Sequence, residues 1–234
     1  MIRRDYILRM IEEFIQALAR INTLRQGQQW QQAAGTVDEE FQRLIGAGAQ
    51  EVIKLSDTEV LAKLIQGGPT QAVHDKTLML TTLLKEAGDL AAAQDRTDES
   101  RACYLKGLHL LLGTLGRGEV CDCPDFVPKV EEFVAALRDA PLSLPTQALL
   151  MQHYERAGEF GRAEDALYAM FEAEPEQRGL AEFGLAFYER LQSKSDRSLA
   201  DGNLPRPELE AGLAELRKRT ERATLSSAPQ ASQR

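Results

Sequence analysis

Three cysteines, three histidines and a series of adjacent carboxylates are the residues of this 234-residue chain best suited to chemistry, and their spacing decides what each could do. Cys121-Asp122-Cys123 offers two thiolates near a turn, which could hold zinc with His109 or Cys103 as further ligands and so support a metal-assisted enzyme. Only one residue separates the pair, against roughly two to four in structural zinc sites, and the Cys-x-x-Cys spacing of a redox pair is absent. His74, His109 and His153 stand far apart, and none belongs to an HExxH arrangement. The carboxylate pairs Glu12-Glu13, Glu39-Glu40 and Glu131-Glu132 point about 100° apart on a helix, so no shared proton is implied. The glycine-rich run Gly113 to Gly118 follows a helix and lacks the Lys-Ser/Thr of a phosphate-cradling loop. No catalytic residue, metal site or cofactor is assigned on this basis, and an enzyme is unsupported.

The elements that would position any site are helical almost throughout. Over Arg3 to Arg25 the apolar residues Ile7, Ile11, Phe14, Leu18 and Ile21 recur at helical steps, and Leu8 and Ile15 broaden the stripe. Further helices are predicted over Trp30 to Ile45, from the Ser56/Glu59 capping box to Gln66, over His74 to Gln94 and over Thr97 to Leu115. Beyond an irregular segment from Gly116 to Pro128, the pattern predicts helices over Val127 to Arg138, Leu144 to Ala157, Phe160 to Ala173, Glu176 to Ser193 and Glu208 to Ala223. Lys194 to Pro207, rich in Ser, Asp, Gly, Asn and Pro, reads as an exposed loop. No run alternates long enough to demand a strand. The expected class is all-α, with stacked antiparallel helical hairpins and about nine or ten helices. One domain is expected over residues 1–223, with a subdivision open near 67–73 and a disordered tail over 224–234.

Composition narrows the function. Hydrophobic residues at 43% and charged residues at 27% are near the globular average, and no stretch has the roughly 20 apolar residues of a membrane span. Lys+Arg at 28 against Asp+Glu at 36 give a net charge of −8, which disfavours nucleic-acid backbones. The acidic residues early in the chain break a signal-peptide core, and an odd cysteine count fits a reducing compartment, so a cytoplasmic location is expected. Neither nucleic acid nor membrane is expected as a partner. The wide stripe of the first helix leaves a homo-oligomer open.

The stretch Leu149 to Pro175 places Leu150, Tyr154, Gly158, Phe160, Ala163, Leu167, Met170 and Pro175 at signature positions, and here the chain resembles the tetratricopeptide-repeat family. A weaker copy over Thr81 to Leu110 turns at Asp95, and a third lies around Gly27, Trp30, Ala33 and Val37. The opening Met1 to Ile21 is similar to that of a bacterial family of helical proteins of unknown function. The repeat resemblance implies a concave groove formed by first helices and suited to a peptide or partner helix. Carried over residue by residue, its groove positions are Lys85 and Asp89, then Ala148, Gln152 and Glu155, then Arg178, Ala181 and Tyr188.

The function expected is therefore a non-catalytic adaptor that binds another protein or peptide. A second expectation is a small-molecule-sensing regulatory protein, with Tyr154, Phe160, Phe183 and Phe187 near one joint. The third is the metal-assisted enzyme using Cys121 and Cys123.

Overall fold

Two helices can reverse direction within a few residues when the first ends on a residue in the left-handed conformation, whose amide then bonds back into the last turn. Among the described residues Gly46 is such a residue, with φ 67°, and four fuller turns of this kind lie at Gln28, Asp95, Gly158 and Asn203, with φ of 56°, 57°, 79° and 58°. In each of the four, the following amide donates to the carbonyl five residues earlier: Gln29 to Leu24, Arg96 to Ala91, Glu159 to Tyr154 and Leu204 to Leu199, at 2.9 to 3.0 Å. The computed structural model describes residues 2–66, 70–116, 123–175, 177 and 179–226. Among them are twelve helices and no strand, so the all-α class holds. Contacts divide the chain into two compact units, 1–140 and 141–234.

The first unit contains α1 (Ile2–Gln26), α2 (Trp30–Ile45), α3 (Ala49–Val52), α4 (Asp57–Gln66), α5 (Thr70–Ala92), α6 (Thr97–Leu115) and α7 (Val130–Ala136). The hairpins α1/α2 and α5/α6 pack through α2 on α5, while α4 covers α5 and α7 covers α6. Its core joins Phe14 and Ile21 of α1 to Val37 and Phe41 of α2, Leu64 of α4 and Leu80, Leu83 and Leu84 of α5. Ser56 caps α4 as expected: its hydroxyl accepts the Glu59 amide at 3.2 Å, and the Glu59 carboxylate accepts the Ser56 amide at 2.7 Å. The described end of the irregular segment packs inward. Phe126 meets Phe14 edge to face, with ring centroids 5.4 Å apart.

The second unit contains α8 (Leu144–Ala157), α9 (Phe160–Ala173), α10 (Leu180–Gln192), α11 (Asp196–Asp201) and α12 (Arg206–Ser226). The α8/α9 hairpin turns at Gly158, α10 packs on α9, and α12 packs on α10. Ala163, Leu167 and Met170 of α9, Phe187 and Leu191 of α10, and Leu209, Leu213 and Leu216 of α12 are all buried. The amide of Gly161 donates to Gly202 at 2.9 Å, tying the start of α9 to the turn before α12.

Several boundaries differ from the sequence pattern: α3 is not expected from it, α5 begins at Thr70 rather than His74 and ends at Ala92 rather than Gln94, and α7 is shorter than the expected Val127 to Arg138. Lys194 to Pro207 is not a plain loop. The Ser195 hydroxyl accepts the Ser198 amide at 3.2 Å and caps α11, and Leu199 and Leu204 are fully buried. Two isolated leucines among turn residues carry too little periodicity to reveal such a helix. The helix expected from Glu176 begins at Leu180, after Gly179 takes φ 90°. The last helix runs to Ser226 rather than Ala223. Gly67-Gly68-Pro69, most of the 224–234 tail and the Cys121-Asp122 pair lie outside the described residues.

Glycine at position 88 of α5 leaves room for the Tyr104 ring of α6. A Cβ built there would overlap the Tyr104 ring, whereas one at Gly35, on the open side of α2, meets nothing within 4 Å. Alanine gains about 1 kcal/mol over glycine inside a helix. Gly35→Ala is therefore expected to stabilise the protein by up to about that amount, and Gly88→Ala to destabilise it by about 1–3 kcal/mol through overpacking. Urea denaturation of both variants checks this. Two shifts of the same sign would contradict the close approach.

Candidate functional site

The sequence-derived groove residues fall in different surroundings. On α5, Asp89 is an acceptor at the centre of a network. Its carboxylate takes hydrogen bonds from Lys85 Nζ at 2.7 and 2.9 Å, Arg25 at 3.0 Å and the Tyr104 hydroxyl at 2.7 Å. Arg25 also donates to Glu86 at 3.1 Å. Burial raises the Glu86 carboxyl above its usual range, and Arg25 opposes that rise. Burial and the Asp89 charge together push the Tyr104 hydroxyl well above the ordinary tyrosine range. Lys85 and Asp89, with side chains only 15% and 25% exposed, thus tie α1 and α6 to α5.

Tyr188 is a correction. Its side chain is fully buried and its hydroxyl donates to Glu164, so it braces α10 against α9 and faces no groove. The misplacement has a simple physical cause. Tyr188 adjoins the buried Phe187 on α10, and its own ring is accommodated inside because Gly212 on α12 has no side chain to occupy that space. Arg178 lies outside the described residues.

Gln152 and Glu155 do converge on a groove. Between α8 and α10 a cavity of about 580 Å³ is lined by Gln152, Glu155, Arg156, Phe183, Arg190 and Lys194. Glu155 holds Arg190 through two bonds of 2.7 Å, which fixes α10 beside α8 and keeps that guanidinium charged. Among the described residues, Arg156 and Lys194 have no acidic partner within ion-pair distance. The lining therefore carries three cations against one carboxylate, around a half-buried aromatic ring. In a chain of net charge −8 such a concentration favours acidic ligands.

Sequence reasoning assigned no groove role to Arg156, Arg190 and Lys194. The signal was available as spacing. Arg156 follows Gln152 by four residues and Arg190 follows Phe183 by seven, so each pair shares a helix side, whereas Lys194 lies just beyond the end of α10.

The aromatic cluster weighed for a small-molecule sensor is mostly packed solid. Tyr154, Phe160 and Phe187 are buried, and the Arg162 guanidinium lies 4.1 Å from the Tyr154 ring centre. Only Phe183 of that set reaches the groove. For the zinc reading, no group of three or more His, Cys, Asp or Glu converges among the described residues. Burial pushes the Cys103 thiol up to about 12, with Glu99 adding and Arg96 opposing, so it stays protonated at neutral pH. Burial lowers the affinity of His109 for a proton.

One carboxyl in this unit makes stability depend on pH. Burial raises Glu164, the Tyr188 hydrogen bond opposes the rise, and Asp165 and Glu208 add to it. Between the unfolded value of 4.5 and the higher folded value, the folded carboxyl keeps a proton that the unfolded chain has lost. Its contribution is therefore fully present below 4.5 and is lost as pH rises through the folded value. Glu164→Gln keeps an acceptor for Tyr188 and removes the ionisation. Thermal melts are expected to show the variant gaining stability relative to the parent at about pH 7 compared with about pH 4. An equal difference at both pH values would contradict the burial of this charge.

Neither comparison with curated proteins nor comparison with solved structures finds a match to this chain. A family model described as a family of unknown function (DUF6483) matches residues 1–221, nearly the full length and including both units, as the opening Met1 to Ile21 anticipated. The chain belongs to that family.

Proposed function

We propose that this protein is a non-catalytic adaptor that docks a segment of another protein in the groove between α8 and α10. The observation that carries the reading is the pairing of a fixed wall with open charge. The Glu155–Arg190 bridge sets the spacing of the two helices, while Arg156 and Lys194 present cations with no acidic partner among the described residues. Phe183 supplies apolar area between them. The partner segment is acidic and carries at least one apolar side chain, since buried hydrophobic contact supplies affinity and charge supplies steering.

The tetratricopeptide resemblance supports the same reading. Parallel first helices, here α8 and α10, are the elements that line a concave surface in such repeats. A bacterial, cytoplasmic setting belongs to the proposal. It is supported by the opening segment and by the fact that, among the described residues, no helix is long and apolar enough to cross a membrane.

Crosslinking and affinity purification from cells that express the protein test this. A reproducible partner is expected, with recovery reduced about tenfold by Arg156→Glu combined with Lys194→Glu. The control is Arg217→Glu with Lys218→Glu, an equal charge change on exposed positions of α12. Equal losses in both double variants would mean unspecific attraction and would overturn the groove assignment.

A further inference from the structure

Two cations stand at one end of the second-unit groove, and the helices that finish there do not use them as caps. Arg156 is in the last turn of α8 and Lys194 lies just past α10, where the helix dipole favours positive charge. The carbonyls at those ends have other donors. On α8, Tyr154 and Glu155 accept the amides of Glu159 at 2.9 Å and Gly158 at 3.2 Å. On α10, Arg190 accepts the Ser193 hydroxyl at 2.8 Å, Leu191 the Lys194 amide at 2.9 Å and Gln192 the Arg206 guanidinium at 3.1 Å. Carboxylates close by in the chain are also committed, Glu159 to Arg162 at 2.6 Å and Asp196 to Arg206 at 2.7 Å. Arg156 and Lys194, both exposed, are thus placed for a negative group that comes from outside.

The same helices set a scale along the groove. Tyr188 reaches Glu164 while Gly184, one turn earlier, faces Leu167, so α10 runs antiparallel to α9. The turn at Gly158 reverses α9 against α8, hence α8 and α10 run in one direction, and their bridge puts Glu155 level with Arg190. At about 1.5 Å per residue, Phe183 lies about 10 Å before the bridge, Gln152 about 4–5 Å before it and Arg156 about 1.5 Å beyond, with Lys194 further on. An aromatic ring, a side-chain amide and two cations therefore succeed one another along one line.

The bridge also restricts the shape of what enters. It closes the space between the helices by direct contact, so a helix, about 10–12 Å across, cannot settle between them at that level. A single extended chain is narrower and can lie along it. Gln152 is exposed and makes no hydrogen bond among the described residues. Its amide can donate to and accept from a main chain, whose polar groups are open in an extended segment and already paired in a helix.

We infer that the groove reads an extended segment in which an apolar side chain and an acidic one stand four residues apart. In an extended chain, residues i and i+4 point the same way and lie about 13 Å apart. That distance carries the acid from a partner on Phe183 to the reach of Arg156 and Lys194, with the main chain between passing Gln152. The inference rests on the docking function proposed above and adds to it the conformation and spacing of the segment.

The test is fluorescence anisotropy of labelled peptides of one composition, titrated with the full chain. Each peptide carries one leucine and one aspartate in a polar background, separated by one, four or seven residues. Saturable binding of the four-residue spacing, about tenfold tighter than the one-residue isomer and weakened about tenfold by Arg156→Glu with Lys194→Glu, is the expected result. Gln152→Ala is expected to weaken the four-residue peptide more than the one-residue isomer. Equal affinities for all isomers, each lost in the double variant, would overturn the spacing and leave the docking site standing. Preference for seven residues, the interval that spans about 10 Å on one side of a helix, would overturn the extended conformation. No saturable binding of any isomer at roughly 1 mM, or binding untouched by the double variant, would overturn the docking site as well.

Discussion

The left-handed turn is the constraint from which the rest of this structure follows. A helix that ends on Gln28, Asp95, Gly158 or Asn203 returns its last carbonyls to the next amides and must send the chain back along itself. Only one of the four positions is glycine; at the others Gln, Asp and Asn adopt a conformation that L residues seldom take, and the hairpin packing must compensate for it. In the second unit the turn at Gly158 antiparallels α9 to α8, and α10 then packs on α9. The bridge from Glu155 to Arg190 brings α10 beside α8 and opens the groove.

Partly buried carboxylates then fix what the turns bring together. Asp89 gathers Arg25, Lys85 and Tyr104 from three helices of the first unit. In the second unit, Glu164 accepts the buried Tyr188 hydroxyl and joins α9 to α10. Such networks set geometry more than they add net stability, because desolvating each charge offsets much of its attraction. Their structural use also removes residues from the pool available for binding. Lys85, Asp89 and Tyr188 serve the interior, whereas Arg156 and Lys194 line the groove between α8 and α10.

Local physics made much of this legible in the sequence. Helices α2, α6, α8 and α9 begin and end where periodicity and punctuation place them, and the Ser56/Glu59 cap follows from two residue types at one spacing. What failed was long-range or sparse. Nothing near Asp89 in the chain announces Arg25, sixty-four residues away, as its partner. The helix at Asp196–Asp201 rests on one serine cap and two buried leucines within a turn-rich segment. Half of the second-unit groove was visible as Gln152 and Glu155, because they share a face of one strongly periodic helix. Arg156 shares that helix side, but bringing Arg190 and Lys194 to the same groove required knowing that α10 stands beside α8. The 63-residue interval between the turns at Asp95 and Gly158, short of two regular repeats, coincides with the division at residue 140.

The groove between α8 and α10 is most directly tested by nuclear magnetic resonance mapping on the isotopically labelled full chain, titrated with a glutamate-rich peptide that carries one leucine. If this groove docks acidic segments, the amide shifts concentrate on Gln152, Arg156, Phe183 and Lys194 and saturate together. Shifts spread along the outer faces of α9 and α12, or none at roughly millimolar peptide, would contradict it.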